Sequence, residues 1–267
     1  MTRKPAVAGQ FYHGTPEGLR GQVAQFMVEA ARERVIGAVC PHAGLIYSGA
    51  VAGAVYSRIE TPETFILLGP NHTGLGEKIS LMHSGVWEIP TGSFSIDERL
   101  AHRIYMAASA LISKDARAHM FEHSLEVQLP FIAYSGTEVK IVPITFMHVS
   151  LDECEAAGRA IAGAVSETGR RVTIIASSDM SHYVPEQEAK YLDGLAIEHI
   201  LSLDPVGLYR TVLSRSISMC GYLPVTTMLY AALELGAASA ELIRYATSAD
   251  VSGDYDHVVG YAGIIVK

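Results

Sequence analysis

The sequence predicts an α/β fold: a single domain whose mixed, largely parallel central sheet is flanked by helices. Three observations predict it. Short apolar runs alternate with longer stretches of helical period, the order expected of βαβ units with helices on both faces of a sheet. No repeat, low-complexity tract or Pro-, Gly- or Ser-rich linker divides the chain. Its 267 residues and 49% hydrophobic content suffice for one full core, so residues 1–267 are read as one domain.

Taken in order, a helical period over 16–33 precedes "VIGAVC", an apolar run that makes 35–40 a strand. A second helical period, 48–58, leads to the β-formers of "FILLG" at 65–69, and another short apolar strand follows at 78–82. Residues 83–94, "HSGVWEIPTGSF", have no clear period. They read either as a pocket loop carrying the only tryptophan, Trp87, or as a hairpin on the rim of the sheet. Helices at 95–109 and 122–134 precede a strand at 139–146, and the alanine-rich "LDECEAAGRAIAGAV" makes a helix of 151–168. "VTIIAS" then supplies a strand at 172–177. Helical periods at 186–202, 204–215 and 222–235, with strands at 241–247 and 258–266, complete the order.

Composition narrows the function. The formal charge is 20 − 28 = −8 without long like-charge blocks, so there is no basic footprint for nucleic acid or an anionic membrane surface. No apolar run reaches the roughly 18 to 20 residues of a membrane span, and "MTRKPAVAGQFY" lacks the apolar segment of a signal peptide, so a cytoplasmic location is the expectation. Three cysteines with no close pair argue against a disulfide framework. Cys154, in an amphipathic helix, and Cys40 read as core. Cys220 stands out, because "SMCGYLP" sets it beside glycine at a break between two helical patterns.

Three apolar strands stop just before a titratable or metal-binding side chain. "VIGAVCPHAG" delivers His42, "FILLGPNH" delivers His72, and "VTIIASSDMSH" delivers Asp179 and His182. In open α/β sheets ligands occupy the crevice beyond the carboxyl ends of the strands, where all of these sit. Two neutral imidazoles from neighbouring strand ends can share a cation about 2.0–2.2 Å from each nitrogen. Cys220 as thiolate is a candidate third ligand, with Glu122, Glu126 and Asp179 as oxygen alternatives. In "FEHSLEVQLPF", Glu122 and His123 are expected in the first turn of the 122–134 helix, where the dipole favours a carboxylate and a neutral imidazole fits a pocket. Asp179, three residues before His182, could orient that imidazole for acid/base work or join it on a metal. A hydrolytic triad has little support, since no "GxSxG" elbow occurs and Ser181 adjoins His182.

Together "PHAGLIYSG", "LLGPNHTG", "EHSLEVQLPF", "SSDMSHY" and "CGYLPV", in this order over nearly the full length, resemble the Memo family, named for a mediator of cell motility. The resemblance implies a fold similar to class III extradiol ring-cleaving dioxygenases. It also implies that His42, His72 and Cys220 are the metal-binding residues, with Asp179 and His182 beside the same pocket. On that basis His182 would shuttle a proton, Asp179 would orient it, His123 would complete the catalytic group, and Tyr47, Trp87 and Glu122 would line the substrate pocket. The dioxygenases hold Fe(II) with two histidines and a carboxylate; a thiolate in the third position donates more charge and favours softer metals. Fe(II) is therefore the first cofactor expected and Cu(I) the alternative. The implied function is a non-haem metal-dependent oxidoreductase acting on a phenolic or related small molecule. Two alternatives are a binding module for a phosphorylated or acidic peptide, which an acidic chain with few basic motif residues disfavours, and a protein that sequesters copper or iron.

Overall fold

A strand covered on both faces must be apolar at nearly every position, and four runs meet that condition. Gly37–Cys40 (β2), Thr64–Pro70 (β3), Lys140–Phe146 (β8) and Val172–Ser177 (β9) are buried almost throughout. In the computed structural model, which describes residues 1–136 and 138–267, they form the parallel centre of the sheet in the order β2-β9-β3-β8. Beyond β8 lie Ile79–Leu81 (β4), antiparallel, and Ser113–Lys114 (β7). Beyond β2 lies Val258–Val266 (β12), antiparallel, which also pairs with Ala240–Thr247 (β11) and His182–Val184 (β10). The mixed sheet of the sequence reading is thus present, with a parallel core and antiparallel edges.

Helices cover the sheet: Pro16–Phe26 (α1), Leu45–Arg58 (α2), Glu98–Ala107 (α3), Leu129–Ser135 (α4), Leu151–Ser166 (α5), Glu186–Leu201 (α6), Pro205–Ser214 (α7), Tyr222–Glu234 (α8) and Ala249–Ser252 (α9). Most match the periodicity, and α5 opens on a full capping box between Ser150 and Glu153. None is long and apolar enough to cross a membrane.

Two helical readings are corrected. The helix read over 16–33 ends at Phe26, because the chain after it is bound elsewhere. The amide of Val28 donates to Ser57 Oγ, and residue 33 exchanges backbone hydrogen bonds with the end of α2, through Arg58 O and Glu60 N. The helix read over 122–134 begins at Leu129, after a 3₁₀ turn at Glu126–Gln128, with Pro130 in its first turn. A proline has no N–H to give and is accommodated only in a helix's first turn, so the helix cannot extend back through it. Glu122 and His123 therefore lie in an extended loop, and the helix-dipole reading of Glu122 does not hold.

Residues 83–94 form the rim hairpin rather than a pocket loop. Val86–Ile89 (β5) and Gly92–Ser95 (β6) pair with each other, and β5 also pairs with Thr2–Arg3 (β1), in a separate three-stranded sheet.

The register aligns what matters for the site. Cys40 of β2 is level with Ser177 of β9, and Leu68 of β3 with Ala176, so three adjacent parallel strands end together. The loops that follow begin at residues 41, 178 and 71 and converge on one crevice.

Candidate metal centre

His42 follows the end of β2 by two residues and is almost fully buried. Its backbone N–H donates to Asp179 Oδ1 at 2.8 Å, and that of Ala43 to the same oxygen at 3.3 Å. Ring atom Nδ1 lies 2.9 Å from Ser177 Oγ, while Nε2 is 3.3 Å from Cys220 Sγ. Burial, and then the neighbouring His72 and His123, hold this imidazole well below its ordinary pKa, so it is neutral and has a lone pair to give.

His72, beyond β3, is tied to Glu122 twice. Its backbone N–H donates to one carboxylate oxygen, and Nδ1–H donates to the other at 2.9 Å, which leaves Nε2 free. The same carboxylate accepts the amides of His123 and Ser124 at 2.9 and 2.8 Å. Burial raises the pKa of Glu122, but the His72 imidazole and the amides of Ser124 and His72 outweigh it and hold the carboxyl at about 2. Hydrogen bonds and an imidazole therefore keep Glu122 ionised, in place of the helix dipole. A histidine with a carboxylate on its far nitrogen is the arrangement that orients metal ligands and makes them more basic.

His123 completes the group. Its ring stacks on His72 with centroids 4.7 Å apart, meets His42 edge-on at 5.5 Å and packs against Phe11 at 4.7 Å. Burial lowers its pKa as well. One ring nitrogen from each of His42, His72 and His123 lies within 4.8 Å of the other two, so the three could hold a metal ion.

Cys220 reaches this cluster from the turn between α7 and α8. The approach depends on Gly221, where an added Cβ would lie 2.3 Å from the Ser177 carbonyl oxygen and 2.4 Å from Ser178 Cβ. Cys220 Sγ accepts the amide of Asp179 at 3.3 Å. Burial, followed by the charge of Asp179, pushes its thiol far up, so the sulfur keeps its proton unless a cation displaces it.

Asp179 and His182 stand beside the cluster in roles different from those expected. The carboxylate of Asp179 is occupied by the amides of His42 and Ala43 and does not orient His182. His182 instead donates both its backbone N–H and Nδ1–H to Ser218, at 2.7 Å to the hydroxyl and 2.8 Å to the carbonyl. The physical reason is competition: two amides of the His42 loop claim Asp179 and Ser218 claims His182, while the next residue, Tyr183 in β10, has φ of 58°, a conformation rare outside glycine, where the register against β12 is irregular. Asp179 thus shapes the His42 loop, and Ser218 orients His182.

Tyr47, early in α2, is 40% exposed. Trp87 is fully buried, with the Arg3 guanidinium 4.2 Å from its ring centroid and His119 edge-on at 5.7 Å, so it is core rather than an open pocket wall. Glu126 is not available as an oxygen ligand, because it is buried against Arg3 and accepts from Ala6 N, Val7 N and Tyr12 OH. Cys40 and Cys154 are buried, as core residues are. Residue-level reading passed over Ser124, Gln128, Ser177 and Ser218, although all four lie within the quoted stretches "EHSLEVQLPF", "SSDMSHY" and "SMCGYLP". Nothing in their residue types marks them; only the fold shows what they touch.

Comparison with known proteins matches the chain over nearly its whole length. The family model described as Memo-like protein matches residues 3–265. A MEMO1 family protein of Methanococcoides burtonii is 43% identical over 99% of this chain and 100% of its own length. One from Methanosarcina acetivorans is 44% identical over 99% of both, and one from Methanocaldococcus jannaschii 40% over 99% of both. Among solved structures, that of an uncharacterized Escherichia coli K12 protein, JW3007, superposes with a TM-score of 0.62 at 13% identity, covering 87% of this chain and all of the other, which is a likeness of fold. Model, relatives and motif order agree from one end to the other, and the chain belongs to the Memo family.

Proposed function

We propose that this protein is a non-haem metal-dependent oxidoreductase, related to the extradiol dioxygenases and acting on a phenolic or related small molecule. His42, His72 and Cys220 hold its cation, Fe(II) first and Cu(I) as the alternative. One observation carries the reading: His42 Nε2 lies 3.3 Å from Cys220 Sγ, with the far nitrogens of His42 and His72 already engaged by Ser177 and Glu122. Two imidazoles and a sulfur form a borderline-to-soft donor set, which suits iron and copper better than the hard cations. The donors therefore fit the group. When bound, such an ion supplies Lewis-acid and redox chemistry at this position.

The chain's own residues supply the rest. His182 gives Nδ1–H to the Ser218 carbonyl, so its Nε2 is the atom that accepts and returns a proton. Asp179 holds the His42 loop through two amides and keeps the ligand in place. His123, neutral and stacked on His72, closes one wall of the site. Tyr47, 40% exposed, and Tyr183, 74% exposed and adjacent to His182, offer aromatic surface near its mouth for an apolar ring.

The test is metal analysis and optical spectroscopy of protein prepared without oxygen or chelator, beside Cys220→Ser. The expected result is one tightly held iron or copper with a sulfur-to-metal charge-transfer band that the variant loses. Protein that neither carries nor accepts a metal would overturn the site, and a band unchanged in Cys220→Ser would remove the thiolate from it. Oxygen uptake with catechols and simpler phenols then tests the oxidoreductase. A bound metal without uptake across that series would favour sequestration.

A further inference from the structure

His42 is the ligand shared by every donor set the cluster allows, and its usefulness depends on which ring nitrogen carries the proton. An imidazole protonated on Nε2 would present N–H to the cation and bind nothing. The structure settles this by counting protons around one hydroxyl. Ser177 Oγ has three neighbours: the Ser124 carbonyl oxygen at 2.7 Å, Gln128 Nε2 at 2.8 Å and His42 Nδ1 at 2.9 Å.

A carbonyl only accepts, so the single hydroxyl proton goes to Ser124. The Gln128 amide is equally fixed. Its nitrogen also donates to the Pro41 carbonyl at 2.9 Å, and its oxygen accepts Tyr56 OH at 3.1 Å, so the amide cannot be turned over. The hydroxyl has thus donated once and accepted once from the amide, and the only bond left for it to make with His42 is a second acceptance. His42 must therefore supply the proton, from Nδ1. All of these groups are buried.

We infer that the buried relay Tyr56, Gln128, Ser177 fixes His42 as its Nδ1–H tautomer, so that Nε2 faces the cation site as a lone pair before any metal arrives. Gln128 and Ser177 are positioning residues that act through His42. Glu122 does the corresponding work for His72, and Ser124 and Gln128 belong to the same loop and turn as Glu122, so residues 122–128 set both imidazoles at once. The inference rests on the metal-site reading for its purpose but not for its geometry, which is a property of the metal-free protein.

The test reads the tautomer directly. Long-range ¹H–¹⁵N correlation spectra of the metal-free wild type, with the His42 ring assigned from a His42→Ala comparison, are expected to show a protonated Nδ1 and an unprotonated Nε2 at neutral pH. In Ser177→Ala the acceptor is gone, and the proton is expected to move to Nε2, where Cys220 Sγ can receive it. Zn(II) affinity, by competition with a chelator, is expected to fall by about 10- to 100-fold, the range for losing such an outer partner. Gln128→Met keeps the shape and leaves the Ser177 acceptor in place, so a smaller fall with the tautomer retained is expected; if Ser177→Ala does not fold, the wild-type tautomer alone decides.

A wild-type His42 protonated on Nε2 overturns the inference with no variant needed. So does a Ser177→Ala protein whose tautomer and Zn(II) affinity match wild type. Correct tautomer but no metal uptake would leave this inference standing and remove the proposed function; metal uptake with the opposite tautomer would do the reverse.

Discussion

Glu122 is the residue on which the cluster's electrostatics turn. Buried carboxylates are usually pushed up, yet this one is held at about 2 by an imidazole and by backbone amides from its own loop and that of His72. Because the folded value lies below the ordinary value of 4.5, its contribution to stability is complete above about pH 4.5 and is lost as pH falls through about 2. The size is on the order of 3 kcal/mol. In urea unfolding of metal-free protein, Glu122→Gln should therefore be less stable than wild type by about that amount at pH 7. The gap should close as pH is lowered below 4.5. A gap independent of pH would show that packing and not charge is at stake. At this scale the convergence of His42, His72 and Cys220 on one crevice was legible, because strand ends and a Cys-Gly break are marks that residue type leaves in a sequence. The partners of Asp179 and His182 were not: a carboxylate three residues from a histidine looks like a pair, and only the fold shows that the amides of His42 and Ala43 claim the one and Ser218 the other.

At the scale of elements, alternation and helical period were enough to place seven strands, β2, β3, β4, β8, β9, β11 and β12, and most helices, because burial on one face or two is written directly into residue order. The failures have one cause. The segment after α1 and the loop before α4 have helix-forming residues, but tertiary hydrogen bonds and Pro130 claim their backbones. β1 is only two residues long and its partner β5 lies far away in sequence, so little local pattern announces it, whereas β5 and β6 are a local hairpin, one of the two readings that 83–94 allowed. Packing between elements shows through glycine. Gly53 in α2 faces the end of α1, where an added Cβ would lie 2.3 Å from Phe26 O and 2.6 Å from its carbonyl carbon. Helix propensity alone favours Gly53→Ala by about 1 kcal/mol, whereas forcing two backbones apart costs about 1–3 kcal/mol. The clash is with backbone and not with a flexible tip, so it should win. Gly53→Ala should lower the unfolding midpoint with the urea m-value unchanged, while Ala at the unobstructed Gly163 of α5 should raise it. A stabilised Gly53→Ala would mean that α1 yields more easily than its contacts indicate.

Across the whole molecule, the N-terminal strand acts as a strap on the loop that carries the histidine cluster. Arg3 is fully buried and is spent on one segment: Nε donates to His119 O, one terminal nitrogen to Glu122 O and the other to the Glu126 carboxylate. Glu126 in turn gathers Ala6 N, Val7 N and Tyr12 OH, and Phe11 packs on His123. Residues 3–12 and 119–128 are therefore joined by a buried polar network centred on Arg3 and Glu126, in the same loop and turn that carry Glu122, His123 and Gln128. Arg3→Met would leave the Glu126 carboxylate buried without its cation and two carbonyls without donors, at a cost of about 3–5 kcal/mol. Glu126→Gln in that background should recover part of it, since it removes the unpaired charge while keeping an acceptor for Ala6 and Val7. The single and double variants measured by urea unfolding give the coupling between the two side chains. Because Arg3 also holds the Glu122 carbonyl, the loss should reach the site. The amides of His123 and Ser124, which donate to Glu122, should exchange hydrogen faster in Arg3→Met than those of β3 and β9, and Zn(II) affinity should fall with them. Equal acceleration at the sheet and the loop would instead mean that the strap stabilises the molecule as a whole and has no particular hold on the histidine cluster.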